Sequence, residues 1–161
     1  MDRHGLQPGT RASIRTWAPD GYHDVIGWIE ETDQTGVVVR ARAGLRRLCW
    51  EEITIARTVG VARGRDPLRV PATQLDELAA RAGLTGRHFV TRLSSLLDGR
   101  VPSPPEPSAV HVFGEWGVTG SPALLPAAWA AARADARSLL AVTTDPELVA
   151  QLLASGFSER G

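Results

Sequence analysis

The chain has 161 residues, 43% hydrophobic and 22% charged, with 18 basic side chains against 18 acidic, which is the composition of a globular protein of one ordinary domain or two small ones. All 18 basic residues are arginine, so a lysine Schiff base, a catalytic amine and a P-loop lysine are excluded. No apolar run approaches the ~18 residues that span a bilayer, and Met1–Gly5 lacks the apolar core of a signal peptide, so the expected location is the cytoplasm.

From Thr10 to Trp17, Ala12, Ile14 and Thr16 alternate with Arg11, Ser13, Arg15 and Trp17, the period of a half-buried strand. Pro19-Asp20-Gly21 supplies a turn. Strands are then expected over Asp24–Glu31, Val37–Arg42, Leu45–Trp50 and Ile53–Val59, separated by Asp33–Gly36, Ala43-Gly44 and Glu51-Glu52. Five short strands at this spacing predict a meander closed into a small barrel over residues 1–62. Gly27 marks an expected bend or bulge. Cys49, the single cysteine, rules out an internal disulfide and, between Leu48 and Trp50, reads as a small buried hydrophobe.

Residues 60–69 are polar and form the expected boundary to a second domain over 68–161. There Thr73 is a candidate cap for a helix ending at Gly83, and Thr85 for a second helix to Asp98, with Phe89, Leu93, Leu96 and Leu97 on one stripe. Four prolines between Gly99 and Ser108 predict an extended connector over 99–109. Val110–Val118 alternates like a strand, Ser121-Pro122 opens a helix over Ala123–Ala134, Leu139–Val142 is a buried strand, and Asp145-Pro146 starts a helix to Gly156. The expected fold class is therefore α+β, a β-barrel followed by a small α/β unit of βαβα order with a parallel strand pair.

Chemistry-bearing patterns are few. Histidines 4, 23, 88 and 111 lie far apart, without metal-ligand spacing. Glu115, beside Trp116, is the one carboxylate placed as a general base would be, and Ser121 lacks the Gly-x-Ser-x-Gly elbow of hydrolases. Leu78-Ala79, Ala82-Gly83-Leu84 and Phe89 match helix-turn-helix spacing, which would turn Arg81, Arg87, His88 and Arg92 to phosphates. The charge balance argues against nucleic acid, with 11 Arg against 9 acids up to residue 70 and 7 against 9 beyond it. Trp28 and Trp50 read as core, whereas Trp17 and Tyr22 flank a loop and are candidates for a partner-binding surface.

Gly9-Thr10-Arg11, Asp24–Trp28, Gly36–Arg40 and Trp50-Glu51-Glu52-Ile53 resemble the SH3-like barrel that precedes the catalytic domain in actinobacterial histone-acetyltransferase-like proteins of the GNAT superfamily. The second half is weakly similar to a shortened GNAT domain, with Leu68–Thr73 resembling its opening strand and helix and Ser155–Arg160 its late Gly-Phe corner. The resemblance implies an acetyl-CoA site at Val118, Thr119, Gly120 and Ser121, where backbone amides would cradle a pyrophosphate. This stretch has one glycine, and Pro122 removes an amide donor. The leading expectation is thus a non-catalytic interaction protein without a cofactor, working through a protein partner or a second copy of itself. The alternatives are an acetyl-CoA-dependent N-acetyltransferase and, after it, a nucleic-acid-binding protein.

Overall fold

The computed structural model describes residues 4–160, and the chain divides into two compact units after Gly60. Its class is α+β, with two mostly antiparallel five-stranded sheets and four helices.

In the first unit the strands are β1 (Arg11–Ala18), β2 (Gly21–Thr32), β3 (Gly36–Ala41), β4 (Gly44–Cys49) and β5 (Ile53–Val59), ordered β4-β3-β2-β1-β5. Every neighbouring pair is antiparallel. The alternation expected in β1 holds, since Ala12, Ile14 and Thr16 are all buried. The sheet is open, however, and not the closed barrel expected. β4 and β5 are its two edges, and only a short 3-10 turn, Trp50–Glu52, joins them. The sheet must curl to allow so short a crossing, and the turn fills the gap with a side chain instead of a hydrogen-bond ladder. Trp50 is 3% exposed within the inner cluster of Ile14, Ile29, Val37 and Leu48, and its indole N–H donates to Asp33 O at 2.9 Å.

Asp33 fixes the β2–β3 corner. Its Oδ1 accepts from the Thr35 and Gly36 amides at 2.7 and 2.9 Å, and Arg47 of β4 donates to its Oδ2 at 2.8 Å. The Arg47 guanidinium, followed by the Thr35 and Gly36 donors, holds the Asp33 carboxyl far below the usual carboxylate range. Two expectations need correcting here. Gly27 carries no bulge, the irregularity lying between Ile29 and Glu31; a Cβ on Gly27 would come 2.5 Å from Arg40 O, so the glycine permits close strand pairing. Cys49 is exposed, because it ends the edge strand β4.

The second unit begins with a 3-10 turn at Pro67–Arg69, where the resemblance implied a strand. Then come α1 (Ala72–Arg81), β6 (Arg87–Arg92), α2 (Leu93–Leu97), β7 (His111–Phe113), β8 (Trp116–Thr119), α3 (Leu124–Arg133), β9 (Ser138–Thr143), α4 (Pro146–Ala154) and β10 (Ser158–Arg160). The sheet order is β10-β6-β9-β8-β7. This unit holds five strands where two were expected, and the additional pairings are antiparallel; the β8–β9 pair, linked through α3, is parallel.

Two expectations fail in this unit for identifiable reasons. The helix expected over 85–98 is replaced at Arg87–Arg92 by strand β6, hydrogen-bonded to β9 on one side and β10 on the other; only Leu93–Leu97 is helical. The strand expected over 110–118 is a hairpin, because Gly114 takes φ +60° and reverses the chain. The proline-rich stretch has no regular structure over residues 100–106. Glu106 N–H donates to Pro126 O of α3 at 3.0 Å, and residues Pro107–Ala109 form a further 3-10 turn.

Apolar helix stripes face both sides of the sheet. Leu75, Leu78 and Ala79 of α1 pack with Val90, Val118 and Leu140. On the other face α3 lies so close that a Cβ on Gly117 would stand 2.7 Å from Ala131 Cβ. α1 ends as expected at Gly83, with φ +71° and Leu84 N–H donating back to Ala79 O at 2.9 Å. Asp145 caps α4 by accepting the Glu147 amide. Beyond β10's pairing, Arg160 donates to Pro67 O at 2.9 Å and Val70 O at 2.7 Å, tying the end of the unit to its beginning.

Candidate interaction surface

The stretch Val118–Ser121 runs from the end of β8 toward α3, and side chains within it hold the Ser121 and Ala123 amides. Val118 is fully buried and Thr119 is 1% exposed. Thr119 Oγ1 donates to Ala109 O and accepts the Ser121 amide at 3.0 Å; Ser121 Oγ accepts the Ala123 amide at 3.0 Å. Pro122 and Pro126 have no N–H to offer. Beside Gly120 a Cβ would meet Val142 O at 3.1 Å and Leu84 at 3.3 Å. A pyrophosphate site at a helix start is built from convergent free amides, whereas here the Ser121 and Ala123 amides are held by Thr119 and Ser121. Ser121 also lies upstream of the α3 N-cap, which is Ala123.

The other candidates are tied into the fold. Glu115 sits in the β7–β8 turn, 3.6 Å from Arg137 Nη1, and its carbonyl accepts the Arg137 and Ser138 amides. Arg87, His88 and Arg92 lie on strand β6, so they do not share a recognition helix. Arg87 pairs with Glu159 at 2.7 Å and His88 approaches Asp76 at 3.6 Å. Among the described residues no cluster of His, Cys, Asp or Glu could hold a metal ion.

Trp17 and Tyr22 are brought together. They are direct cross-strand partners in β1 and β2, 53% and 64% exposed. The same outward face carries Arg15 opposite Asp24 and opposite Ile55 of β5, and Ser13 opposite Ile26. Ile55 and Ile26 are 63% and 51% exposed. The centre of this apolar face is a two-pronged ion pair, Arg15 Nε to Asp24 Oδ1 at 2.9 Å and Nη2 to Oδ2 at 3.2 Å. Arg15 also stands 5.9 Å from the Tyr22 ring centre. Its hydrogen bond lowers the Asp24 carboxyl below the usual range. Four large exposed apolar side chains on one sheet face form the kind of patch that marks a contact surface. Ile26 and Ile55 were not singled out from the sequence; the register that places them beside Trp17 only exists once the strands pair.

In the second unit an open cleft of about 520 Å³ runs between α1 and the β7–β8 hairpin. Thr73, Gln74, Glu77 and Arg81 line one side, Phe113 and Trp116 the other. The Arg81 guanidinium lies over the Phe113 ring at 4.3 Å.

Comparison with known protein families, curated proteins and solved structures found no match.

Proposed function

We propose that the chain is a non-catalytic, cytoplasmic interaction protein, its first unit an SH3-like fold and its second a reduced GNAT-like domain. The exposed outer face of β2, β1 and β5 carries this reading. Trp17 and Tyr22 offer rigid amphipathic area of the kind enriched at protein contacts, Ile26 and Ile55 extend it, and the Arg15–Asp24 pair supplies direction. The engaged amides around Gly120 support a role without acetyl-CoA.

Calorimetric titration with acetyl-CoA, followed by an acetyl-transfer assay on amine acceptors, tests the non-catalytic half of the reading. Saturable binding with transfer would replace it by an N-acetyltransferase. For the partner half, a photo-reactive residue in place of Tyr22 should cross-link a protein, whether a different chain or a second copy. That product should vanish in a Trp17→Ser background and persist with Leu153→Ser, a change at an exposed position of α4.

A further inference from the structure

We infer that the cleft between α1 and the β7–β8 hairpin, together with the free edge of β7, receives an extended peptide segment of a partner protein. The segment would add as a strand to β7 and carry an acidic and a basic side chain two positions apart. This inference lies in the second unit and does not rest on the sheet face of the first.

The backbone supplies the first half of the argument. β7 ends its sheet, so among the described residues no strand pairs with its outer edge. The hairpin loop is Gly114-Glu115, with positive φ at its first position only, and Phe113 and Trp116 close it. Hydrogen-bonded and non-bonded pairs alternate along an antiparallel ladder. The next pair, Val112 with Gly117, is therefore non-bonded, and Val112 directs its N–H and C=O outward, where neither has a backbone partner. An unpaired edge of this kind is a template for strand addition.

The side chains supply the second half. His111 and Phe113 occupy alternate positions of β7 with rings stacked at 6.2 Å, on the face where α1 lies. Across the cleft, Glu77 has no ion-pair partner among the described residues, and Arg81 has only its place over Phe113. A Glu-to-Arg pair one turn along a helix is favourable, yet here Arg81 is drawn onto the ring and both charges stay open. They sit four residues apart, about 6 Å along the helix axis. Same-face side chains of an extended chain repeat about every 6.6 Å. A strand laid on β7 and running along α1 would present alternate side chains at the spacing of Glu77 and Arg81, with its acid toward Arg81 and its base toward Glu77.

The test uses the full chain, isotopically labelled for amide spectra, and three capped heptapeptides identical except for their centres: Glu-Val-Arg, Glu-Val-Glu and Arg-Val-Arg. The mixed peptide should bind saturably, shift the His111–Phe113 amides and slow exchange of the Val112 amide. The like-charged peptides should each bind roughly three- to fivefold more weakly, the scale of one exposed ion pair. Glu77→Arg, a change at an exposed helix position, should transfer the preference to Glu-Val-Glu, and Arg81→Glu to Arg-Val-Arg. Amide spectra unchanged outside the cleft will show that both variants fold. Absence of saturation with any peptide, equal affinity for all three, or binding that leaves the Val112 amide unprotected would overturn the inference.

Discussion

Trp17 and Tyr22 face one another across β1 and β2, one step from the turn, and more than half of each ring side chain is open to solvent. An exposed cross-strand aromatic pair contributes only about 0.2–1 kcal/mol to a sheet. Replacing both residues by threonine, a good strand former, should therefore lower stability by less than about 1 kcal/mol, measured by urea unfolding. Trp17→Thr alone, in the chain that carries the photo-reactive residue at position 22, should abolish partner cross-linking, which separates a contact role from a packing role.

Trp50 is the opposite case. It is buried in the gap between the two edge strands and hydrogen-bonded to Asp33 O. Trp50→Ala should cost about 3–5 kcal/mol, the range for deleting a buried aromatic. Trp50→Phe keeps much of the volume and strands the carbonyl, so a loss of about 1–3 kcal/mol is expected. Denaturant midpoints of the two variants will rank them.

Asp33 makes the acid limb of stability testable. Its folded pKa is depressed, first by Arg47 and then by Thr35 and Gly36, so the folded state holds the charged form more tightly than the unfolded chain does. The resulting stabilisation is complete above the unfolded value of about 3.9 and is lost as pH falls below it toward the folded value. Melting temperatures of wild type and Asp33→Asn should differ at pH 7 and converge as pH is lowered from about 4 toward 2. A constant difference across that range would refute the linkage.

Gly117 sets the spacing between β8 and α3. A Cβ there would stand 2.7 Å from Ala131 Cβ, so Gly117→Ala should destabilise by about 1–3 kcal/mol through overpacking. Adding Ala131→Gly frees that space, although glycine within a helix itself costs about 1 kcal/mol. A double-mutant cycle should show the two changes to be less than additive.

The strands of the first unit were legible because one face of β1 is buried and the other solvated, so Ala12, Ile14 and Thr16 alternate visibly with arginine. β6 was not legible for the converse reason. Phe89, Val90 and Thr91 are consecutive and all buried, covered from both sides, so no period of two survives and the leucines beyond completed a false helical stripe. Gly114 stood in an alternating run that concealed its turn. At Gly120 the sequence already held the reasons against a phosphate cradle in Pro122, while the capture of amides by Thr119 and Ser121 needed coordinates. Glu77 and Arg81 read as an ordinary solvated helix face, and only the return of Phe113, which follows Arg81 by 32 residues in the chain, turns them into one side of a cleft.

Arg160 spans from the final strand to the carbonyls of Pro67 and Val70, so the second unit's first and last segments are neighbours. Its order along the chain is then separable from its packing. A short linker from the end of β10 to the start of the unit, with new termini opened at the exposed Gly99–Arg100 bend, would give a circular permutant that keeps every strand pair.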